Sequence, residues 1–172
     1  MIELSQLDQK HLPYFLDWIN DQEVIKYSLS AFHDLSTEAD ITQWFEGVLQ
    51  DTESMNLAII DTETQECLGY ATISNMSEAS DGGEFFLFIG DKSAWGKGIG
   101  TEVTRQMVEK GFTEQDLHWI ILVVSKSNRG GVKAYQRAGF TIETMFRQRS
   151  MEDGKLHDTF LMSIRREEQE AA

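Results

Sequence analysis

The sequence predicts a mixed α/β fold: one central mixed sheet, parallel at a single βαβ crossover and antiparallel on either side of it. Three observations lead to this fold class. First, 84–90 (EFFLFIG) and 118–124 (HWIILVV) read as strands, and 99–112 between them reads as a helix. Such a unit makes its two strands parallel, with a right-handed connection. Second, the apolar runs around it are joined by brief polar turns, as in hairpins. Third, a chain of 172 residues with 41% hydrophobic residues and one proline is too apolar for disorder. A chain of that length buries roughly 70% of its unfolded surface and needs no disulfide or metal staple.

The elements follow in order. MIELS reads as a first strand. Residues 8–19 read as a helix, because Leu12, Phe15, Leu16 and Ile19 recur at helical spacing. Pro13 lacks an N–H and belongs in its first turn. Asp21 to Tyr27 reads as a short second helix. Residues 37–50 carry the clearest periodicity, with Ile41, Trp44, Phe45, Val48 and Leu49 on one stripe. Ser36 or Thr37 can cap that helix, and Glu38 and Asp40 suit the positive end of its dipole. Strands are expected at 56–61 and 67–74, paired as a hairpin, and then at 84–90. In helix 99–112, Ile99, Val103 and Met107 are four apart and Phe112 closes the face. The run 118–124 is continuously apolar, as a central strand covered on both faces would be. A helix over about 128–138 and strands near 140–150 and 156–164 complete the sheet. The tail 166–172 is polar and expected to fray. No repeat or linker interrupts the chain, so 1–172 reads as a single domain.

Charge and composition exclude several classes. The formal charge is −14, and so acidic a surface repels phosphate backbones, which argues against nucleic-acid binding. The charge is uneven: residues 1–90 hold 17 acids against Lys10 and Lys26, whereas 91–172 hold 13 bases against 12 acids. That is either a solvated acidic face or a sign of two ligands of opposite charge. The lone Cys67 excludes a disulfide framework and fits a reducing compartment. No apolar run approaches the ~20 residues of a membrane span. No basic-then-apolar leader opens the sequence, so a cytoplasmic protein is expected. His11, His33, His118 and His157 are scattered without ligand spacing, and no metal site is expected.

Between strand 84–90 and the next helix lies Trp95-Gly96-Lys97-Gly98-Ile99-Gly100-Thr101. Glycines at a helix N-terminus let several backbone N–H groups approach one anion, and the helix dipole and Lys97 add attraction. The loop therefore reads as a phosphate cradle; a plain tight turn is the alternative. It matches neither G-x-x-x-x-G-K-[ST] nor G-x-G-x-x-G, since Lys97 precedes glycine and Thr101 stands where the second pattern needs glycine. A second motif, Asn128-x-x-Gly131-x-x-x-Tyr135-x-x-x-Gly139-Phe140, starts directly after the apolar strand.

Together the two motifs resemble the coenzyme A loop and following helix of the GCN5-related N-acetyltransferases, the GNAT family. The resemblance spans nearly the whole chain. L-D-W-I-N-D-x-E-V (16–24) and D-G-K-x-x-D (153–158) are similar to the branch containing ribosomal-protein N-terminal acetyltransferases and spermidine acetyltransferase. Two departures stand out: Trp95 replaces the usual Gln or Arg, and Gly131 replaces the usual Ala or Ser.

The resemblance implies a GNAT acyl-CoA N-acyltransferase fold with two splayed parallel strands. It also implies acetyl-CoA as cosubstrate, no metal, and an amine acceptor. It assigns 84–140 to the acetyl-CoA-binding core and the helices within 1–55 to the acceptor side. Tyr135 stands at the family's general-acid position, to protonate the departing sulfur; a packed helix aromatic is the alternative. Glu84 matches a glutamate of this branch and is the candidate base, or else an exposed strand-end acid. Phe88, Ile89 and Gly90 are expected to offer main-chain groups to the pantetheine arm. Trp95, Gly96, Lys97, Gly98, Ile99, Gly100 and Thr101 would form the coenzyme A loop, a phosphate cradle. Asn128 would contact the cofactor or cap its helix, and Arg137 would reach an outer phosphate.

Acetyl transfer to an amine needs a neutral nitrogen, and a lysine-type amine titrates near ~10.4, so a base or water chain must take a proton. The leaving thiolate benefits from an acid such as a phenol. Cys67 has no histidine nearby in sequence, so direct transfer in a ternary complex is expected rather than a cysteine intermediate. The acceptor candidates are a protein N-terminus, a polyamine, an aminoglycoside and an amino sugar, with a cationic one favoured by the acidic half. A catalytically silent coenzyme A-binding module is the competing class. Oligomeric state, including a homodimer, is left open.

Overall fold

Among the described residues, seven strands lie in one sheet and five helices flank it. The strands are β1 (Ile2–Gln6), β2 (Met55–Asp61), β3 (Cys67–Ser77), β4 (Gly82–Ile89), β5 (Trp119–Ser125), β6 (Thr141–Arg149) and β7 (Leu156–Arg165). The helices are α1 (Leu12–Ile19), α2 (Gln22–Ile25), α3 (Glu38–Gln50), α4 (Ile99–Thr113) and α5 (Arg129–Arg137). The structure is a computed structural model and describes residues 1–77, 79–149 and 153–166. The sheet order is β1-β2-β3-β4-β5-β7-β6. Every neighbouring pair is antiparallel except β4 and β5.

That parallel pair is short. It joins Gly82 to Trp119, Gly83 to Ile120 and Glu84 to Ile121, and then ends. Beyond Glu84, β4 continues to Ile89 and β5 to Ser125 without a shared rung. The two strands splay, as the resemblance implied, and leave a gap in the middle of the sheet.

Alternation along the strands sorts side chains to two faces. On one face Ile73, Phe85, Ile120, Leu122 and Met162 pack with Val103 and Met107 of α4 and Tyr135 of α5. On the other, Ala58, Tyr70 and Phe88 pack with Phe15 of α1 and with Ile41 and Phe45 of α3. Thr37 caps α3 in a reciprocal box with Asp40, its hydroxyl accepting from the Asp40 N–H at 3.0 Å while the Asp40 carboxylate accepts the Thr37 N–H at 3.2 Å. This satisfies two end donors that would otherwise face water. Pro13 sits in the first turn of α1, as its missing N–H requires.

Four expectations need correction. The segment 21–27 is helical only at Gln22–Ile25. The first helix begins as a tight 3-10 turn, Gln9–His11. The strand β5 is not covered on both faces: α1 to α3 form their core over β2, β3 and β4, and Val123 is left 43% exposed. At the tail, the Arg166 N–H donates to the His118 carbonyl at 2.9 Å and its guanidinium meets Asp116 at 3.1 Å, so this residue is anchored. The expected fraying of 167–172 and the strand position at 150 lie outside the described residues.

Candidate active site

The end of the β4–β5 pairing organises the site. Glu84 occupies the last shared rung, opposite Ile121. Its neighbour Phe85 points to the other face, where its ring meets Tyr135 at 6.0 Å between centroids. Glu84 and Tyr135 therefore flank the start of the gap from opposite faces of the sheet. Tyr135 comes from the middle of α5, held by Phe85 and Phe140. Burial pushes its phenol up to about 12, because the phenolate would lose its hydration. The Tyr135 hydroxyl has no protein hydrogen-bond partner among the described residues, yet it is not a buried unsatisfied atom. The residue is buried, and its hydroxyl keeps some accessible surface. The Glu84 carboxylate accepts from the Asn75 amide at 3.0 Å, and Asn75 holds a left-handed backbone (φ 51°) to present it. Asn75 is a site residue that sequence reasoning missed; only its cross-strand place near Glu84 reveals it.

The main-chain groups lining the gap also follow from register. The Gly90 N–H donates to the Leu68 carbonyl at 2.9 Å, and the Phe88 carbonyl lies so close to Gly69 that a Cβ there would approach it to 2.1 Å. These groups of Phe88 and Gly90 face β3, not the gap. By the two-residue period, Ile89 faces the gap instead. Its carbonyl accepts from the Trp95 indole at 3.0 Å. Trp95, the departure at the start of the loop, thus ties the loop to the free edge of β4 through its side chain.

The loop has the geometry that an anion cradle needs. Gly96 and Gly98 have φ of 75° and 81°, and a Cβ built on either would meet nothing within 4 Å. Open space lies where side chains would otherwise project. Helix α4 starts at Ile99 without a side-chain cap, and its first backbone bond runs from the Glu102 N–H to the Gly98 carbonyl at 3.2 Å. The N–H groups of Ile99, Gly100 and Thr101 therefore have no intrahelical acceptor, which is what a phosphate uses. Lys97 is exposed beside them. Gly100 brings α4 against α5, since its Cβ would lie 3.6 Å from that of Ala134. These residues fit a coenzyme pyrophosphate.

Asn128 caps α5, its side-chain oxygen accepting from the Gly131 N–H at 3.0 Å. An alanine at 131 would place its Cβ 2.6 Å from the Asn128 amide nitrogen, so the cap as formed would have to shift. Arg137 lies in the last turn of α5, and its carbonyl accepts from the Arg105 guanidinium at 3.1 Å. The two arginines line one groove with Phe112 and Gly139. Arg105 was not singled out by motif, because nothing local distinguishes it from a solvated helix charge.

Cys67 is buried and its thiol is pushed up to about 11 by burial, which removes it as a nucleophile. Among the described residues no three His, Cys, Asp or Glu gather as a metal would need. Nor is any described helix long and apolar enough to cross a membrane.

Residues 2–141 match the family model described as an acetyltransferase (GNAT) domain. The chain belongs to the GNAT acetyltransferase family and is an N-acetyltransferase that moves an acetyl group to an amine. Among its relatives, "Uncharacterized N-acetyltransferase p20" of Bacillus licheniformis is 24% identical, over 97% of this chain and 94% of the relative. Spermidine N(1)-acetyltransferase of Escherichia coli strain K12 is 20% identical, over 95% of this chain and 85% of the relative. In fold, the chain is similar to spermidine N-acetyltransferase from Vibrio cholerae in its complex with CoA and spermine. The TM-score is 0.84 at 18% identity, covering 96% of both chains.

Proposed function

We propose that this enzyme transfers the acetyl group of acetyl-CoA directly to a primary amine of a polyamine-like cation, within a ternary complex in the cytoplasm. The observation that carries the reading is the placement of Tyr135 and Glu84 on opposite faces at the mouth of the gap. A thioester held in that gap has its sulfur toward α5 and its open carbonyl face toward Glu84. The main-chain edge at Ile89 and the cradle 96–101 bind the cofactor arm and pyrophosphate, with Trp95 holding the loop on the edge and Arg137 near the outer phosphates. The Glu84 carboxylate, aimed by Asn75, takes a proton from the ammonium directly or through water. The nitrogen then attacks the acetyl carbon, the C–N bond forms, the C–S bond breaks, and the nitrogen gives its second proton to water. The thiolate takes the phenolic proton of Tyr135, which recovers one from water. A free thiol is a stronger acid than this phenol, so the transfer is uphill in water. Inside the gap, loss of hydration raises the phenol and the thiol together, so the uphill step stays near that of the free groups, roughly 1.5 pH units.

The polyamine acceptor is supported by the charge of residues 1–90 and by the spermidine acetyltransferases among the relatives. The test is a thiol-release assay with acetyl-CoA against a polyamine, a peptide N-terminus, an aminoglycoside and an amino sugar. The highest kcat/KM is expected with the polyamine. Tight acetyl-CoA binding with no turnover on any of the four would identify a silent binding module instead.

A further inference from the structure

Three adjacent strands continue one row of residues outward from Glu84. Glu84 pairs with Ile121, Ile121 pairs with Ser163, and paired residues share a face. At the far end, the Ser163 hydroxyl donates to the carboxylate of Glu143. Glu143 is the extra residue where the β6–β7 register shifts between Ile142 and Thr144. A bulge re-aims a side chain, and here it turns a carboxylate back over the sheet. The next row is apolar: Val123 pairs with Leu161. Val123 is 43% exposed although it belongs to an interior strand. No salt bridge engages Glu143 or Glu84 among the described residues.

We infer that Glu143 is a specificity-determining residue, holding a distal ammonium of the acceptor while the reacting amine stands at Glu84. The inference rests on the acceptor side proposed above. The two carboxylates sit at the ends of a partly open floor of half-buried Ile121 and Leu161 and exposed Val123. That alternation of charge, methylene-sized apolar surface and charge matches a chain of methylenes with a cationic centre at each end. From Glu84 on β4 to Ser163 on β7, where the Glu143 carboxylate is held, is two strand spacings, about 10 Å, which suits a short diamine with a hydrogen bond at each end. Exposed Val123 is the independent sign, since an apolar face left open on a central strand gains by being covered. Ser163 keeps the Glu143 carboxylate in place and is a positioning residue.

The experiment compares 1,4-diaminobutane with butylamine, which share the reacting amine and the carbon chain and differ in the distal ammonium. The wild-type enzyme should prefer the diamine in kcat/KM. E143Q should reduce that preference about tenfold, the scale of one charge-assisted hydrogen bond. E143D, which keeps the charge, should restore part of it. A ratio in E143Q equal to wild type overturns the role of Glu143 and leaves the acceptor reading standing. Turnover of neither amine overturns the acceptor reading. In that case, calorimetric binding of 1,4-diaminobutane to the CoA-loaded protein still decides the site. Binding about tenfold weaker in E143Q sustains it, and equal binding removes it.

Discussion

Tyr135 illustrates how far one residue's role depends on its surroundings. A tyrosine four residues after Gly131 is an ordinary helix aromatic until its ring is buried and its hydroxyl is left without a protein partner. Burial holds the phenol protonated with its titration near about 12, so it stays a donor across any assay range. Removing it should therefore lower kcat by about 10²-fold and by the same factor from about pH 6 to about pH 9, a typical loss for a general acid. Steady-state thiol release by Tyr135→Phe, measured across that range, checks it. Wild-type turnover would return Tyr135 to packing, and a loss confined to one limb would give the titration to another group. Gly131 makes the converse point. Its helix propensity is poor, but a Cβ there would push on the Asn128 amide and shift the cap.

At the scale of elements, the loop and the helix entries divide the work. Gly98 needs a left-handed backbone and has nothing beside its Cβ position, so alanine there both strains the turn and fills the cradle. Gly98→Ala should raise KM for acetyl-CoA at least tenfold while changing kcat little, because the cradle binds a part of the cofactor remote from the reacting carbon. Initial rates with varied acetyl-CoA give this directly. The entry to α1 carries a pH dependence. Buried His11 accepts from the Asp8 N–H through Nδ1 at 3.0 Å, and burial, with Lys10 adding repulsion, lowers its titration below the usual 6.5. The sign follows from which state binds the proton. Between the lowered folded value and 6.5, the unfolded chain holds the proton and the folded one does not, so stability falls as pH drops through that window. Thermal unfolding of the wild type should show a declining midpoint below about pH 6.5, a limb that His11→Gln should flatten relative to its own neutral-pH value. Identical slopes would assign the decline elsewhere.

Across the whole molecule the charge boundary and the structural boundary coincide. The acidic stretch ends at residue 90, and β4 ends at Ile89, so β1 to β4 with α1 to α3 carry the acids. The gap between β4 and β5 is where the near-neutral half begins. An ion-pair group crosses the boundary: Lys92, just after β4, meets Asp21 at 2.8 Å and Glu23 at 3.0 Å. A cationic acceptor approaching the gap meets a field that salt screens over about 8 Å at physiological ionic strength. Its KM should rise with added salt from about 0.05 M to 0.5 M, while that of an uncharged amine analogue stays flatter. Salt titration of initial rates checks this, and equal responses would leave the acidity as a matter of solubility.

What the sequence determined by itself was local or periodic. Stripes such as Ile41, Phe45 and Val48 marked α3, the run 118–124 marked β5, and two glycine-bearing motifs marked the cradle and α5. These signals are legible because backbone needs and 3.6- or 2-residue periods are written in neighbouring positions. Only the tertiary structure decided which face each strand shows and where the pairing stops. It put Ile89 rather than Phe88 or Gly90 on the open edge. It brought Asn75 to Glu84 across β3 and β4, and Glu143 to Ser163 across β6 and β7. It also left Val123 uncovered on a strand whose sequence reads as wholly buried. Such facts depend on register between segments far apart in the chain. Register is set by how the whole sheet packs against its helices, and no short stretch of sequence encodes that.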